Sequence, residues 1–196
     1  LERYAQVLIW GLKTARGKRF KSGDAVVIRM DADALPLAEH LHTMLVSDRL
    51  NPILRLNPTA NMQRRFYELA KPGQLDFVVA GHAQFVRNIQ GSISLLAPAS
   101  LTHLAGIDAR KIGRTMKTQR NFRQILNKRE ALGDFSWTLC VYPTPALAKH
   151  AGLSLKQYSQ QIVRACFLDR KEPITHWRNI HRRAQKIKKW LTGLEI

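Results

Sequence analysis

This sequence predicts an α/β fold: a mainly parallel sheet of about four strands flanked by helices, with a C-terminal helical segment. Three observations predict it. Four short runs rich in apolar and β-branched residues recur, at Ala25 to Met30, Pro52 to Leu56, Ser92 to Ala97 and Ser136 to Tyr142. The stretches between them carry apolar residues three and four apart, which is helical spacing. The resulting strand–helix–strand–helix order favours parallel pairing through right-handed crossovers. The chain has 196 residues and 45% apolar content, enough for one domain with a real core. Residues 1–196 are therefore expected to form a single α/β domain.

In order along the chain, Leu1 to Leu12 is an amphipathic helix with Tyr4, Leu8 and Leu12 inward, and Lys13 to Ser22 is a basic loop. The unbroken run Ala25 to Met30 suits a parallel strand buried on both faces. Asp31-Ala32-Asp33 follows its C-terminal end, and Ala34 to Val46 is helical with Leu37, Leu41, Met44 and Leu45 apolar. After the strand at Pro52 to Leu56, Thr59 caps a helix running through Ala70. Lys71 to Ile89 reads as one broken helix carrying Leu75, Val78, Val79, Phe85 and Val86. Beyond the third strand, Asp108 caps a long helix to about Glu130, with Ile112, Met116, Phe122 and Leu126 held inward.

The fourth run, Ser136 to Tyr142, has no breaker and is expected to be a buried strand. Pro143-Thr144-Pro145 stops it. Thr144 is a good N-cap, and Pro145 suits the first helical position, where a missing N–H costs nothing. The helix Ala146 to Ala151 ends at Gly152, a natural left-handed residue after a helix. Ser154-Leu155-Lys156-Gln157 has capping-box spacing and opens a helix with Leu155, Tyr158, Ile162 and Cys166 on one face. Pro173 opens the last helix, whose stripe is Ile174, Trp177, His181, Ala184, Ile187 and Leu191. The preceding helix and the Trp137 strand are the expected cover for that stripe, and a further strand is expected to begin as the sequence reaches Ile196.

Several chemistries lack their residues. His40 and His42 lie two apart on a helix, His176 and His181 five apart, and His82, His103 and His150 stand alone. None of these spacings makes a shared metal site, and no His-Glu-x-x-His or paired-Cys motif occurs. Asp31 and Asp33 sit where open α/β sheets bind ligands, yet Asp is also a preferred cap, and capping of the following helix is the favoured role. No Gly-x-Gly-x-x-Gly or Gly-x-Ser-x-Gly is present. Cys140 and Cys166 have apolar neighbours, so both are expected to be buried free thiols, which suits a cytoplasmic protein. No apolar run approaches the ~18 residues of a membrane span.

The net charge of +18 is uneven: residues 1–100 carry 13 basic and 8 acidic side chains, residues 101–196 carry 19 and 6. Arg178, Arg182, Lys186 and Lys189 share one face of the last helix, and Arg110, Arg114, Lys117, Arg120 and Arg123 decorate the Asp108 helix. Nucleic-acid recognition wants stacking aromatics among such cations. Trp177, Phe122 and Trp190 fit the core-facing sides instead. Solvated helix faces with weak, non-specific polyanion affinity are therefore expected. A basic nucleic-acid-binding α/β module is the alternative, and a face that docks on a missing C-terminal portion is a third option.

Tyr142-Pro143-Thr144-Pro145-Ala146-Leu147-Ala148 resembles the strand–corner–helix of the thermophilic-type metalloaminopeptidases, the family of aminopeptidases T and S. The likeness continues through Ala151-Gly152-Leu153-Ser154-Leu155, Cys166-Phe167-Leu168-Asp169, Pro173 with Trp177, and Trp190-Leu191. Earlier blocks agree: Leu1-Glu2-Arg3-Tyr4-Ala5, Gly23 to Ile28, Phe66-Tyr67-Glu68-Leu69-Ala70 and Leu104-Ala105-Gly106-Ile107-Asp108. The resemblance implies the N-terminal domain of a larger enzyme that hydrolyses N-terminal residues from peptides. It also implies a divalent metal pair (zinc, cobalt or manganese) in a missing C-terminal domain, and a homodimer when full length. No residue here matches a metal ligand or catalytic group of the family, so the chain by itself is expected to be inactive.

Overall fold

All four apolar runs become strands of one sheet: β1 (Ala25–Met30), β2 (Asn51–Leu56), β3 (Gly91–Leu96) and β4 (Ser136–Val141). The structure is a computed structural model describing residues 1–194. Every pairing is parallel, and the order is β2-β1-β3-β4. The chain goes from β1 to one side and then crosses to the other. The gap between β1 and β3 is thus the topological switch point of an open sheet.

Around the sheet lie α1 (Glu2–Ala15), α2 (Leu35–Ser47), α3 (Ala60–Leu69), α4 (Pro72–Leu75), α5 (His82–Asn88), α6 (Ala109–Ala131), α7 (Pro145–His150), α8 (Leu155–Ala165) and α9 (Pro173–Thr192). One face of the sheet holds the main core. Tyr4, Leu8 and Leu12 of α1 and Leu37, Leu41 and Leu45 of α2 close over Val26, Ile28, Ile93 and Leu95. The other face has a smaller cluster, in which Phe85 of α5 and Leu126 of α6 cover Val27, Ile89 and Phe135.

Local chemistry set many of the boundaries. Thr59 accepts from the Met62 amide at 3.2 Å, Asp108 from Arg110 at 2.9 Å and Thr144 from Leu147 at 3.3 Å. Ser154 and Gln157 form the capping box, and Gly152 takes φ of 68°. Thr144 also donates to the Pro98 carbonyl at 2.9 Å, which fixes the corner after β4 against the segment after β3. At the opposite end of the sheet, Arg16 and Asp24 form a buried ion pair at 2.8 Å, and Asp24 also accepts from the Lys21 amide.

Several expectations are corrected. β4 is an edge strand: Trp137 is 49% and Leu139 48% exposed, the Trp137 indole reaching only Glu130 of α6 on that face, while Cys140 on the α1 side is 5% exposed. α1 runs one turn past Leu12, to Ala15. The Lys71–Ile89 segment is two short helices, and Val78 and Val79 between them are exposed. On α6 no residue is fully buried and Met116 is exposed; on α8 Leu155 is exposed. α9 docks chiefly on α1, with His181 edge-on to Trp10 at 6.3 Å, and the expected contact with the preceding helix is limited to its end, where Trp177 donates to the Cys166 carbonyl. Only Ile174, Trp177 and His181 of its stripe are partly covered, and Ala184, Ile187 and Leu191 are exposed, since α1 reaches only the first half of α9. The strand expected at the end of the sequence lies outside the described residues.

Candidate functional site

A cleft of about 140 Å³ opens where β1, β2 and β3 end. Each strand hands it a residue: Asp31 follows β1, Asn57 follows β2, and Ala97 follows β3. The Asp31 carboxylate holds the three ends together. Its Oδ1 accepts from Asn57 Nδ2 at 2.8 Å and its Oδ2 from the Ala97 amide at 2.8 Å. The expected helix cap is therefore wrong for Asp31, which makes no side-chain cap bond. Donors on the two neighbouring strands satisfy the carboxylate in place of the amides of the following turn. Asp33 lies on the exposed rim.

The far wall is polar too. His103 Nε2 lies 2.8 Å from Gln63 Oε1, and its Nδ1 lies 3.2 Å from the Ser100 carbonyl. Arg64 donates to the carbonyls of His103 and Ala105, at 2.9 and 3.1 Å, and so pins this loop to α3. Sequence reasoning stopped at Asp31 and Asp33. The rule that placed them, ligands gathering beyond strand C-termini, applies equally to Asn57 and Ser100. His103 and Gln63, 40 residues apart, carried no local signal.

This arrangement can bind and orient a polar group. It holds no assembled nucleophile, because His103 meets the carbonyl of Ser100 and not its hydroxyl. It does not fit a metal pair either. Asp31 is committed to two donors, and among the described residues no group of three or more His, Cys, Asp or Glu could hold a metal ion. The other histidines are engaged elsewhere: His82 meets Phe122 edge-on at 4.5 Å, His176 stacks on Phe167 at 4.9 Å, and His181 abuts Trp10. His40 and His42 lie on α2, and His150 ends α7, exposed.

Both thiols are free. Burial pushes Cys140 up to about 12 and Cys166 in the same direction, so neither is a ready thiolate. Cys166 is half-buried, less covered than expected. The Tyr4 hydroxyl beside them donates to the Val141 carbonyl at 3.1 Å, and burial raises its pKa as well.

Arg178, Arg182, Lys186 and Lys189 are exposed and enter no salt bridge among the described residues. On α6, Arg110 pairs with Asp108 and Arg114 with Asp76, while Lys117, Arg120 and Arg123 are exposed. Trp177 and Phe122 are partly covered, but Trp190 is exposed, contrary to its expected inward position. No helix among the described residues is long and apolar enough to cross a membrane.

Comparison with known proteins adds the family. A solved structure, wild-type AmpT from Thermus thermophilus, matches with a TM-score of 0.58 at 18% identity. The match covers 84% of this chain and spans 41% of that one, and at this identity it shows a shared fold. No curated protein matches. The profile of the family described as thermophilic metalloprotease (M29) matches residues 1–196, and the chain therefore belongs to that family.

Proposed function

We propose that this chain is the N-terminal domain of a metal-dependent aminopeptidase that removes N-terminal residues from peptides. The family match along residues 1–196 carries this reading. Two further observations support it. The AmpT chain is more than twice as long as the part matched here. The second face of β4 leaves Trp137 and Leu139 about half exposed, as suits an apolar surface that meets a further domain.

In this reading the metal pair (zinc, cobalt or manganese) belongs to a C-terminal domain. When bound, it supplies an activated water and polarises the peptide carbonyl. The residues described above supply binding. Asn57, Gln63, Ser100 and His103 offer amide, hydroxyl and imidazole groups that can hold a peptide backbone at the cavity wall, while Asp31 keeps the strand ends fixed beneath them. The whole enzyme would be a cytoplasmic homodimer, and the two free thiols suit that compartment.

The test is release of an aminoacyl-anilide's leaving group by the full-length protein with zinc, cobalt or manganese added in turn. Metal-dependent release is expected, and Gln63→Ala is expected to raise KM with kcat kept. Absence of release with every metal would sink the reading.

A second reading, a nucleic-acid or polyanion-binding module, rests on the exposed cations of α9, which form no salt bridge among the described residues, beside the exposed Trp190. It requires a complex that survives physiological salt and is lost on changing Arg178, Arg182, Lys186 and Lys189 to Gln. Under the peptidase reading, binding to generic polyanions is weak and vanishes near that salt.

A further inference from the structure

Arg29 of β1 and Arg55 of β2 are register partners on adjacent parallel strands. Such partners project to the same face of a sheet from strands about 5 Å apart. Both side chains stand on the second face, beyond the Val27 cluster, and both are half-buried. The Arg55 guanidinium carbon lies 3.9 Å from the centre of the Phe85 ring. His82 stacks against the same ring at 6.2 Å and meets Phe122 at 4.5 Å. Ser94 of β3, the other register partner of Arg29, extends the row with a hydroxyl.

Among the described residues no carboxylate pairs with either arginine. All eight salt bridges among the described residues use other cations. Burial, then Arg55, lowers the pKa of Arg29; burial, then Arg55 and Arg29, lowers that of His82. Like charges directly opposite in a sheet are destabilising, and a half-buried cation without a counter-charge is costlier than an exposed one. Elsewhere the chain meets a buried guanidinium with a carboxylate, as Asp24 does for Arg16. Here the Arg55 guanidinium and the His82 imidazole lie against the Phe85 ring, Arg29 and Ser94 stand beside Arg55 in the sheet register, and no salt bridge among the described residues engages either arginine. The planar donor fork of arginine matches the paired oxygens of phosphate and carboxylate, and an aromatic floor strengthens such contacts by lowering the local dielectric.

We propose that Arg29 and Arg55, flanked by His82 and Ser94, form a binding site for the oxyanion group of a small ligand, a phosphate or a carboxylate. The site lies outside the cleft at Asp31 and does not depend on the peptidase reading.

The test titrates the full chain with inorganic phosphate, and separately with acetate, with sodium chloride adjusted to hold ionic strength constant. A saturable rise in the thermal midpoint is expected with phosphate. A rise with acetate as well assigns the shared oxyanion chemistry; a rise with phosphate alone assigns phosphate. Arg29→Gln and Arg55→Gln should each abolish the rise, and Arg178→Gln with Arg182→Gln should keep it. A second measurement needs no variant: phosphate should slow phenylglyoxal modification of Arg29 and Arg55 about fivefold more than that of Arg178 and Arg182, read by peptide mass spectrometry. The proposal is overturned if neither anion gives a saturable rise, or if Arg29 and Arg55 are protected no better than Arg178 and Arg182.

Discussion

Replacing Asp31 by Ala tests whether the carboxylate ties three strand ends together or merely caps a helix. The substitution removes both acceptors, leaving Asn57 Nδ2 and the Ala97 amide, each 2.8 Å away in the native chain, without a partner. A hydrogen bond to a charged group contributes about 1.5–3 kcal/mol. Asp31 is half-buried, so the lower end applies to each bond, and the two together come to about 3 kcal/mol. A helix cap alone would cost about 1 kcal/mol. For a chain of this length, a loss of about 3 kcal/mol lowers Tm by roughly 6–12 °C. Urea unfolding of Asp31→Ala, Asn57→Ala and the double variant gives the assay, with the slope checked for constancy. The cycle should return a coupling of about 1.5 kcal/mol or more between the two positions. Asp31→Asn, which keeps one acceptor, should lose about half as much as Asp31→Ala. A cost near 1 kcal/mol for Asp31→Ala, with the two substitutions additive within about 0.5 kcal/mol, would refute the bridging role.

Other perturbations test other parts of the fold. Asp24→Asn leaves the Arg16 guanidinium, whose side chain is 7% exposed, without its counter-charge, and should cost about 3–5 kcal/mol in urea unfolding. Cys140 keeps its proton to about pH 12 when folded, whereas an unfolded thiol ionises near pH 9. Its contribution is therefore fully present below pH 9 and is lost as pH rises from there towards 12. Urea midpoints measured across that window should fall less steeply in Cys140→Ala than in the native chain. Trp177 is half-buried, with its indole N–H donating to the Cys166 carbonyl at 3.2 Å. Trp177→Ala should thus cost less than the roughly 3–5 kcal/mol of a fully buried tryptophan, again by urea unfolding.

The legible parts of this fold were those decided within a few residues. Thr59, Asp108, Thr144 and Ser154 each cap a helix through an amide two or three positions on, and sequence spacing reports that directly. The four strands were legible as apolar runs, and their parallel pairing followed from the helices between them. What failed was the partner of each face. The run Ser136 to Tyr142 looks buried throughout. Yet being at the sheet edge, with α1 packed on the other face, leaves Trp137 and Leu139 about half exposed while Cys140 is covered. The stripe on α9 likewise predicted a cover, read as the preceding helix and the Trp137 strand; α1 supplies most of it, and only as far as His181, while the end of α8 meets Trp177 alone.

Asp31 shows why the site was half legible. Its position at a strand end and its carboxylate are local facts, and both pointed to the cleft. Its donors lie 26 and 66 residues away, so their choice over the helix amides is a product of strand order. The same logic applies to Arg29 and Arg55. In sequence they are two basic residues inside two strands, each readable as an outward charge on an amphipathic run. The parallel register makes them neighbours, and the Phe85 ring, 30 residues after Arg55, sets them on an aromatic floor. A sheet that brings two guanidiniums together without a carboxylate bears a repulsion that a misaligned register would relieve, since a slip of one residue would send Arg55 to the other face. The hydrophobic alternation of β1 and β2 holds the register against that repulsion, with Val26 and Ile28 on the main core and Val27 and Ile53 on the smaller cluster. An oxyanion bound between the arginines would act in the same direction as that alternation, favouring the native register over the slipped one.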